Sequence, residues 1–185
     1  GDAVPGRRVE TELEVEAVEG KPADLGAGPL SLAIAGEQWA AAEAERTVAG
    51  TSTLDELAVA LAGKPLLAHD AKSLGGGRHG LLAAAAREGV ELALEHDTMV
   101  AAYLLEPQRR TYDLVELAAD AGIGLAEGVA AAQAEGNGQL SLGEEAEAAL
   151  DPPEEARLVA ALAEAQGPRI DEVGLGELLT EVEMP

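Results

Sequence analysis

The chain has 185 residues, 47% of them hydrophobic and only 2% aromatic, with no Phe and no Cys. That length suits one domain whose core is built from Leu, Val, Ile and Ala, and the lack of Cys excludes disulfides and thiolate metal sites and fits a cytoplasmic location. Twelve Lys and Arg against 35 Asp and Glu give a net charge of −23, which on its own repels DNA phosphates, because binding them needs a basic stripe; the same acidity also serves solubility. No run of about 18 apolar residues marks a membrane span, and no basic-then-apolar start reads as a signal peptide.

Val9 to Ala17 alternates apolar or small residues with Glu10, Glu12, Glu14 and Glu16, a period of two that predicts a strand. A turn-rich stretch from Gly20 to Pro29 follows, then a second strand, Leu30 to Ile34, a turn at Gly36 and a third strand over Gln38 to Ala42. Thr53-Leu54-Asp55-Glu56 has the form of a capping box and opens a helix to about Ala62, ended by Gly63. Pro65 to Ala68 reads as a short buried strand. A helix starting at Lys72 is interrupted by Gly75-Gly76-Gly77, each glycine costing about 1 kcal/mol against alanine, and restarts from about His79 to Glu88. Val90 to Leu94 reads as a strand, and Asp97 and Asp113 cap helices reaching Leu105 and Ala121. Leu125 to Gln139, rich in Ala, Gly and Glu, reads as a mobile loop. Pro153 suits the first turn of a helix through Gln166, and Leu175 to Glu183 makes a last short one. Strands first, then strands alternating with helices, is a mixed α/β order.

Four stretches carry a family likeness in a fixed order: Ala68-His69-Asp70-Ala71-Lys72-Ser73-Leu74, Asp97-Thr98-Met99-Val100-Ala101-Ala102-Tyr103-Leu104-Leu105, Arg110-Thr111-Tyr112-Asp113-Leu114-Val115-Glu116-Leu117-Ala118, and the closing Glu181-Val182-Glu183-Met184-Pro185. Together they resemble the 3′–5′ exonuclease (proofreading) domain of bacterial family-A DNA polymerase I. The likeness runs from about Val9 to Pro185, strongest from Lys64 to Ala121 and over the last five residues. It implies an α/β fold of the ribonuclease-H-like (DnaQ-like exonuclease) kind, with a mixed sheet of about five strands flanked by helices. It also implies one exonuclease-like domain over residues 1–185, part of a longer polypeptide with a covalently linked polymerase domain after Pro185.

The chemistry of that family rests on Mg²⁺ or Mn²⁺ ions held by carboxylates, one making a hydroxide and the other stabilising the leaving 3′ oxygen. Hard divalent cations need oxygen ligands, so an apolar group cannot stand in for a carboxylate. The family's first motif, Asp-x-Glu, falls by gapless counting on Glu14-Val15-Glu16, on a strand that the resemblance places at the centre of the sheet. Two positions apart on a strand puts both carboxylates on one face, but Glu for Asp displaces a ligand by about 1 Å, enough to lower the rate about 10²-fold. Equally, Glu10 to Glu16 read as the wet face of one strand. In the second motif Lys72 is kept and Asp70 stands for an asparagine, but the metal-linked aspartate falls on Leu74. In the third, Glu155 or, with a slip of one, Glu154 takes the aspartate position, and Asp151 takes that of the tyrosine that orients the attacking water.

The resemblance therefore implies a degenerate, inactive domain with an architectural role and without a resident cofactor, Mg²⁺ or Mn²⁺ entering only if the site is active. The alternative is an active metal-dependent exonuclease with a rearranged carboxylate site at Glu14, Glu16 and Glu155. DNA is reached through the whole enzyme and only weakly by this domain, with Lys72, Arg109 and Arg110 as the candidate phosphate contacts. His69, His79 and His96 read as scattered rather than as a metal set, Trp39 as strand packing, and no serine sits in a nucleophile elbow.

Overall fold

The structure, a computed structural model, describes residues 16–124, 150–176 and 179. Its contacts divide the chain into two units, Gly1–Glu14 with Gly124–Ala149 and Val15–Ile123 with Leu150–Pro185, and all the elements named here belong to the second. They are β1 (Ala17–Glu19), β2 (Leu30–Ala35), β3 (Gln38–Glu43), β4 (Arg46–Thr51), α1 (Leu54–Leu61), β5 (Pro65–Ala68), α2 (Leu81–Glu88), β6 (Ala93–Asp97), α3 (Thr98–Leu105), α4 (Leu114–Asp120) and α5 (Pro152–Glu172).

The six strands form one mixed sheet in the order β1-β4-β3-β2-β5-β6. β2, β3 and β4 are an antiparallel meander, whereas β5 runs parallel to β2 and β6 parallel to β5. The predicted mixed α/β sheet, antiparallel at its start and parallel around Leu66-Leu67, is what forms. Along β2 and β3 the side chains alternate between two cores. Leu30, Leu32, Trp39, Ala41 and Val48 meet Leu57 and Leu61 of α1 and Leu81 and Ala84 of α2. On the other face Ala33, Ala40 and Ala42 meet Ala156 of α5. Alanine on that second face is what lets a 21-residue helix lie close against the sheet.

Several elements depart from the sequence reading. β4 was not expected: the turn before it contains Ala44 at φ 47° and Glu45, with none of the Gly, Asn or Pro that mark hairpins. The sheet accordingly has six strands instead of about five. The strand expected over Val90 to Leu94 lies three residues later, because the Val90 N–H closes α2 on the Ala85 carbonyl (3.0 Å). No helix starts at Lys72; turns occupy the stretch up to a 3-10 turn at Gly77–His79, and α2 begins at Leu81. α5 runs past Gln166 through Gly167 and Pro168 to Glu172, giving up the one ladder bond that proline cannot donate while Gln166 and Ile170 stay buried.

Other expectations hold. α1 opens on a capping box in which the Glu56 N–H donates to Thr53 Oγ1 (3.2 Å) and the Thr53 N–H to Glu56 Oε2 (3.1 Å). Trp39 is 1% exposed and packs in the core. Gly50 is required beside it, since a Cβ there would meet the Gly20 carbonyl oxygen at 2.3 Å. The strand expected over Val9 to Ala17 lies outside the described residues except for Glu16 and Ala17, and so do Leu125 to Gln139 and most of Leu175 to Glu183. Among the described residues no helix is long and apolar enough to cross a membrane.

Candidate functional site

The ends of the parallel strands β5 and β6 lie side by side, Ala68 opposite Asp97. The chain leaves β5 through His69-Asp70-Ala71-Lys72 and leaves β6 straight into α3. The Asp97 carboxylate, 3% exposed, ties the two exits together. Its Oδ1 accepts from Met99 N (2.9 Å), Asp70 N (3.1 Å) and Val100 N (3.2 Å), and its Oδ2 from Ala71 N (2.7 Å). Asp97 is thus the expected N-cap of α3 and also a clamp on the Asp70 turn, where Asp70 takes φ 50°, a conformation a non-glycine residue keeps only when its surroundings hold it.

Around this clamp lies a polar seam. His69 Nδ1 is 2.8 Å from Thr98 Oγ1, His96 Nε2 is 2.9 Å from Gln166 Oε1, and Gln166 Nε2 donates to the Thr98 carbonyl at 2.9 Å. Burial pushes the His69 imidazole below its usual pKa, against the opposing pull of Asp97, Asp113, Asp70 and the Tyr112 backbone. His69 and His96 are thus held within the seam, and among the described residues no group of three His, Asp or Glu side chains is placed to hold a metal ion.

Beside the clamp opens a cavity of about 250 Å³ lined by Asp70, Lys72, Asp97, Met99, Tyr103 and Tyr112, among others. The two tyrosine rings meet edge to face with centroids 5.8 Å apart, and Tyr112 Oη donates to the Glu106 carbonyl at 3.0 Å. Tyr103 is half exposed. The i, i+9 separation of the two tyrosines across a loop carries no periodic signal that pairs them in the sequence.

The candidate carboxylates are not drawn together. Glu14 lies outside the described residues. Glu16 is exposed and precedes β1, which is an edge strand paired with β4, so the residues after Glu16 do not occupy the central strand the resemblance implied. The central neighbour of β5 is instead β2, which carries Leu-Ser-Leu-Ala-Ile-Ala and no carboxylate. Four strand spacings separate β1 from β5, about 19 Å, too far for one ion to bridge them. Leu74 is half-buried and packs with Ile34 and Leu54 against the α1–α2 core, on the face of the sheet opposite α5.

Glu155 sits in the first turn of α5, with Glu154 beside it and Asp151 as N-cap residue. Glu155 is half-buried, its side chain has no hydrogen-bond partner among the described residues, and burial pushes its carboxyl above the usual range. Of the candidate phosphate contacts, Arg109 is already engaged, by Asp120 at 2.6 Å and Glu106 at 3.2 Å. Glu106 also takes Arg169 at 3.0 Å, and both arginines hold its carboxyl below the usual range. Lys72 and Arg110 are exposed and form no ion pair among the described residues.

The structure thus defines an α/β protein with a six-stranded mixed sheet flanked by helices. The sequence matches no protein-family profile and no curated protein. Among solved structures it is similar to the POL domain of Pol1 from M. smegmatis in complex with DNA primer-template and dNTP, with a TM-score of 0.58 and 22% identity. That match covers 87% of this chain and 27% of the other, so the chain spans about a quarter of its neighbour's length. At that identity the likeness is one of fold.

Proposed function

We propose that this chain is a degenerate 3′–5′ exonuclease-like domain of a bacterial family-A DNA polymerase I, ribonuclease-H-like in fold and cytoplasmic, whose role is to pack beside a covalently linked polymerase domain. The observation that carries the reading is Leu74. The position where the resembling family places a metal-linked aspartate holds an apolar, half-buried side chain packed against the α1–α2 core. Support for the polymerase relationship comes from the order of the sequence motifs and from the fold shared with a chain whose description names a Pol1 bound to DNA primer-template and dNTP.

The described residues do not fit a pair of divalent ions. Glu16 is at one edge of the sheet, β2 offers no carboxylate, and Glu155 stands on the face opposite Leu74. The rearranged-site alternative needs Glu14, Glu16 and Glu155 together; of these Glu155 is half-buried and without a partner among the described residues.

The test is degradation of an end-labelled single-stranded oligodeoxynucleotide by the purified chain with Mg²⁺ or Mn²⁺. The expected result is no degradation above the blank, and none for Leu74→Asp alone, since the other ligand positions remain wrong. Mg²⁺-dependent degradation that Glu16→Gln or Glu155→Gln abolishes would overturn the reading in favour of the rearranged site. DNA binding by the isolated chain should be no tighter than about 10⁻⁴ M at physiological salt.

A further inference from the structure

The chain carries 35 acidic residues, yet none of them lies between Asp70 and Glu88. That acid-free stretch contains Lys72, Arg78, His79 and Arg87. Arg87 is taken by Asp55 at 2.6 Å, whereas Lys72, Arg78 and His79 are exposed and unpaired among the described residues. The three free groups sit on one compact loop, closed where the Leu81 N–H donates to the Leu74 carbonyl (3.0 Å). Inside it the Ser73 carbonyl accepts from Gly76 N (3.0 Å) and Gly77 N (3.1 Å).

Gly75, Gly76 and Gly77 all take positive φ, 74°, 108° and 61°, which side-chain-bearing residues rarely adopt. A Cβ at Gly76 or Gly77 would meet nothing within 4 Å, so the backbone there faces open space. Most N–H groups of the loop are used: those of Asp70 and Ala71 by Asp97, and those of Ser73, Leu74, Gly76, Gly77, His79 and Gly80 by loop carbonyls. The N–H groups of Lys72, Gly75 and Arg78 have no acceptor among the described residues. The neighbouring acids on α1 are occupied as well. Leu54, which touches Gly75, is followed by Asp55, paired with Arg87, and by Glu56, which accepts from Thr53.

We infer that the Lys72–Gly80 loop is a phosphate-binding site. Backbone donors left free around a left-handed glycine turn, with Lys72 and Arg78 on either side, are the recognition chemistry of a phosphate oxyanion; the carboxylates of Asp70 and Asp97, which line the cavity beside Lys72, are the ones that oppose it. The phosphate source we assign is the backbone of a single-stranded nucleic acid; this assignment, unlike the loop itself, rests on the polymerase-related reading.

Amide chemical shifts of the ¹⁵N-labelled chain, followed at low salt, test the site with inorganic phosphate and the source with a short oligothymidylate, against chloride at matched ionic strength. Phosphate but not chloride should shift the amides of Lys72, Gly75 and Arg78, and the oligonucleotide should shift the same set at lower concentration. Lys72→Ala with Arg78→Ala, both exposed, should leave the unfolding midpoint unchanged and weaken oligonucleotide binding at least about tenfold at low salt. The double change should also reduce the slope of log affinity against log salt by about 1.4, two cations at about 0.7 each for a single strand. No loop shifts with either ligand, or shifts that survive the double substitution, overturn the site. Loop shifts with phosphate and none with the oligonucleotide keep the site and overturn the nucleic-acid source. The nuclease assay described above is independent of every one of these outcomes.

Discussion

Removing the Asp97 carboxylate should do more damage than losing a helix cap. An N-cap aspartate replaced by alanine costs about 1 kcal/mol. Here the same carboxylate also accepts from Asp70 N and from the buried Ala71 N, at 3.1 and 2.7 Å. Hydrogen bonds to a charged group are worth about 1.5–3 kcal/mol, and a buried donor left without an acceptor loses its solvation as well. Asp97→Ala is therefore expected to cost about 3–5 kcal/mol, a large share of the roughly 5–15 kcal/mol that holds a domain folded. Asp97→Asn separates the two duties. Its carbonyl oxygen can keep the Met99, Val100 and Asp70 bonds, but its amide nitrogen then points a donor at the Ala71 N–H, for an expected loss of about 1.5–3 kcal/mol. Urea unfolding followed by circular dichroism gives the totals. Hydrogen exchange locates the damage: in the Asn variant Ala71 should lose protection while Met99 and Val100 keep it. An alanine variant that costs under about 1.5 kcal/mol would mean that the cap alone matters and that the clamp on the Asp70 turn is energetically idle.

Three further outcomes follow from the buried groups. The His69 pKa is lowered in the folded chain by burial, so the unfolded chain takes the proton first, and stability is lost as pH falls through the unfolded value of 6.5. The urea midpoint of the parent should drop relative to His69→Gln between pH 7.5 and 5.5, and an unchanging difference would count against it. Glu155 is the reverse: its raised pKa gives stability that is present at low pH and lost as pH rises through the folded value, so Glu155→Gln should be more stable than the parent at pH 7 and equal to it near pH 4, read from thermal midpoints at both. Trp39 Nε1 is buried without an acceptor among the described residues, so Trp39→Phe sheds an unsatisfied donor and should cost under about 1.5 kcal/mol, against about 3–5 for Trp39→Ala; near-equal costs would show that the indole N–H is satisfied.

What the sequence made legible was what local chemistry dictates. The capping box at Thr53, the caps at Asp97 and Asp113 and the short apolar strand Pro65–Ala68 form as read, because each is decided by neighbours a few residues away. The failures have the opposite character. β4 hides behind a turn that lacks turn residues, and β6 is displaced because the end of α2 claims Val90 before the sheet can. Which strand sits beside β5 is a matter of long-range pairing, and neither the period-two pattern before Ala17 nor that in Leu30–Ile34 states a neighbour. The second duty of Asp97 was likewise invisible, since the cap reaches Met99 and Val100 locally but Ala71 only across the sheet ends.

The same limit bears on the candidate site. Carboxylates that act on one ion must converge from elements far apart in sequence, so a one-strand change in pairing moves a ligand by about 5 Å, more than the reach of any metal–oxygen bond. At residue 74, half-buried against the α1–α2 core, packing favours an apolar side chain. A carboxylate there would turn away from that core or be partly desolvated without a partner, which is costly unless a cation compensates. Leucine at that place avoids the cost. Glu155, exposed to neither a cation nor a hydrogen-bond donor among the described residues, keeps the electrostatic penalty of a buried carboxylate and none of the compensation. That uncompensated carboxylate lies apart from the exposed cations Lys72 and Arg78, which sit on the stretch between Asp70 and Glu88 that carries no acid.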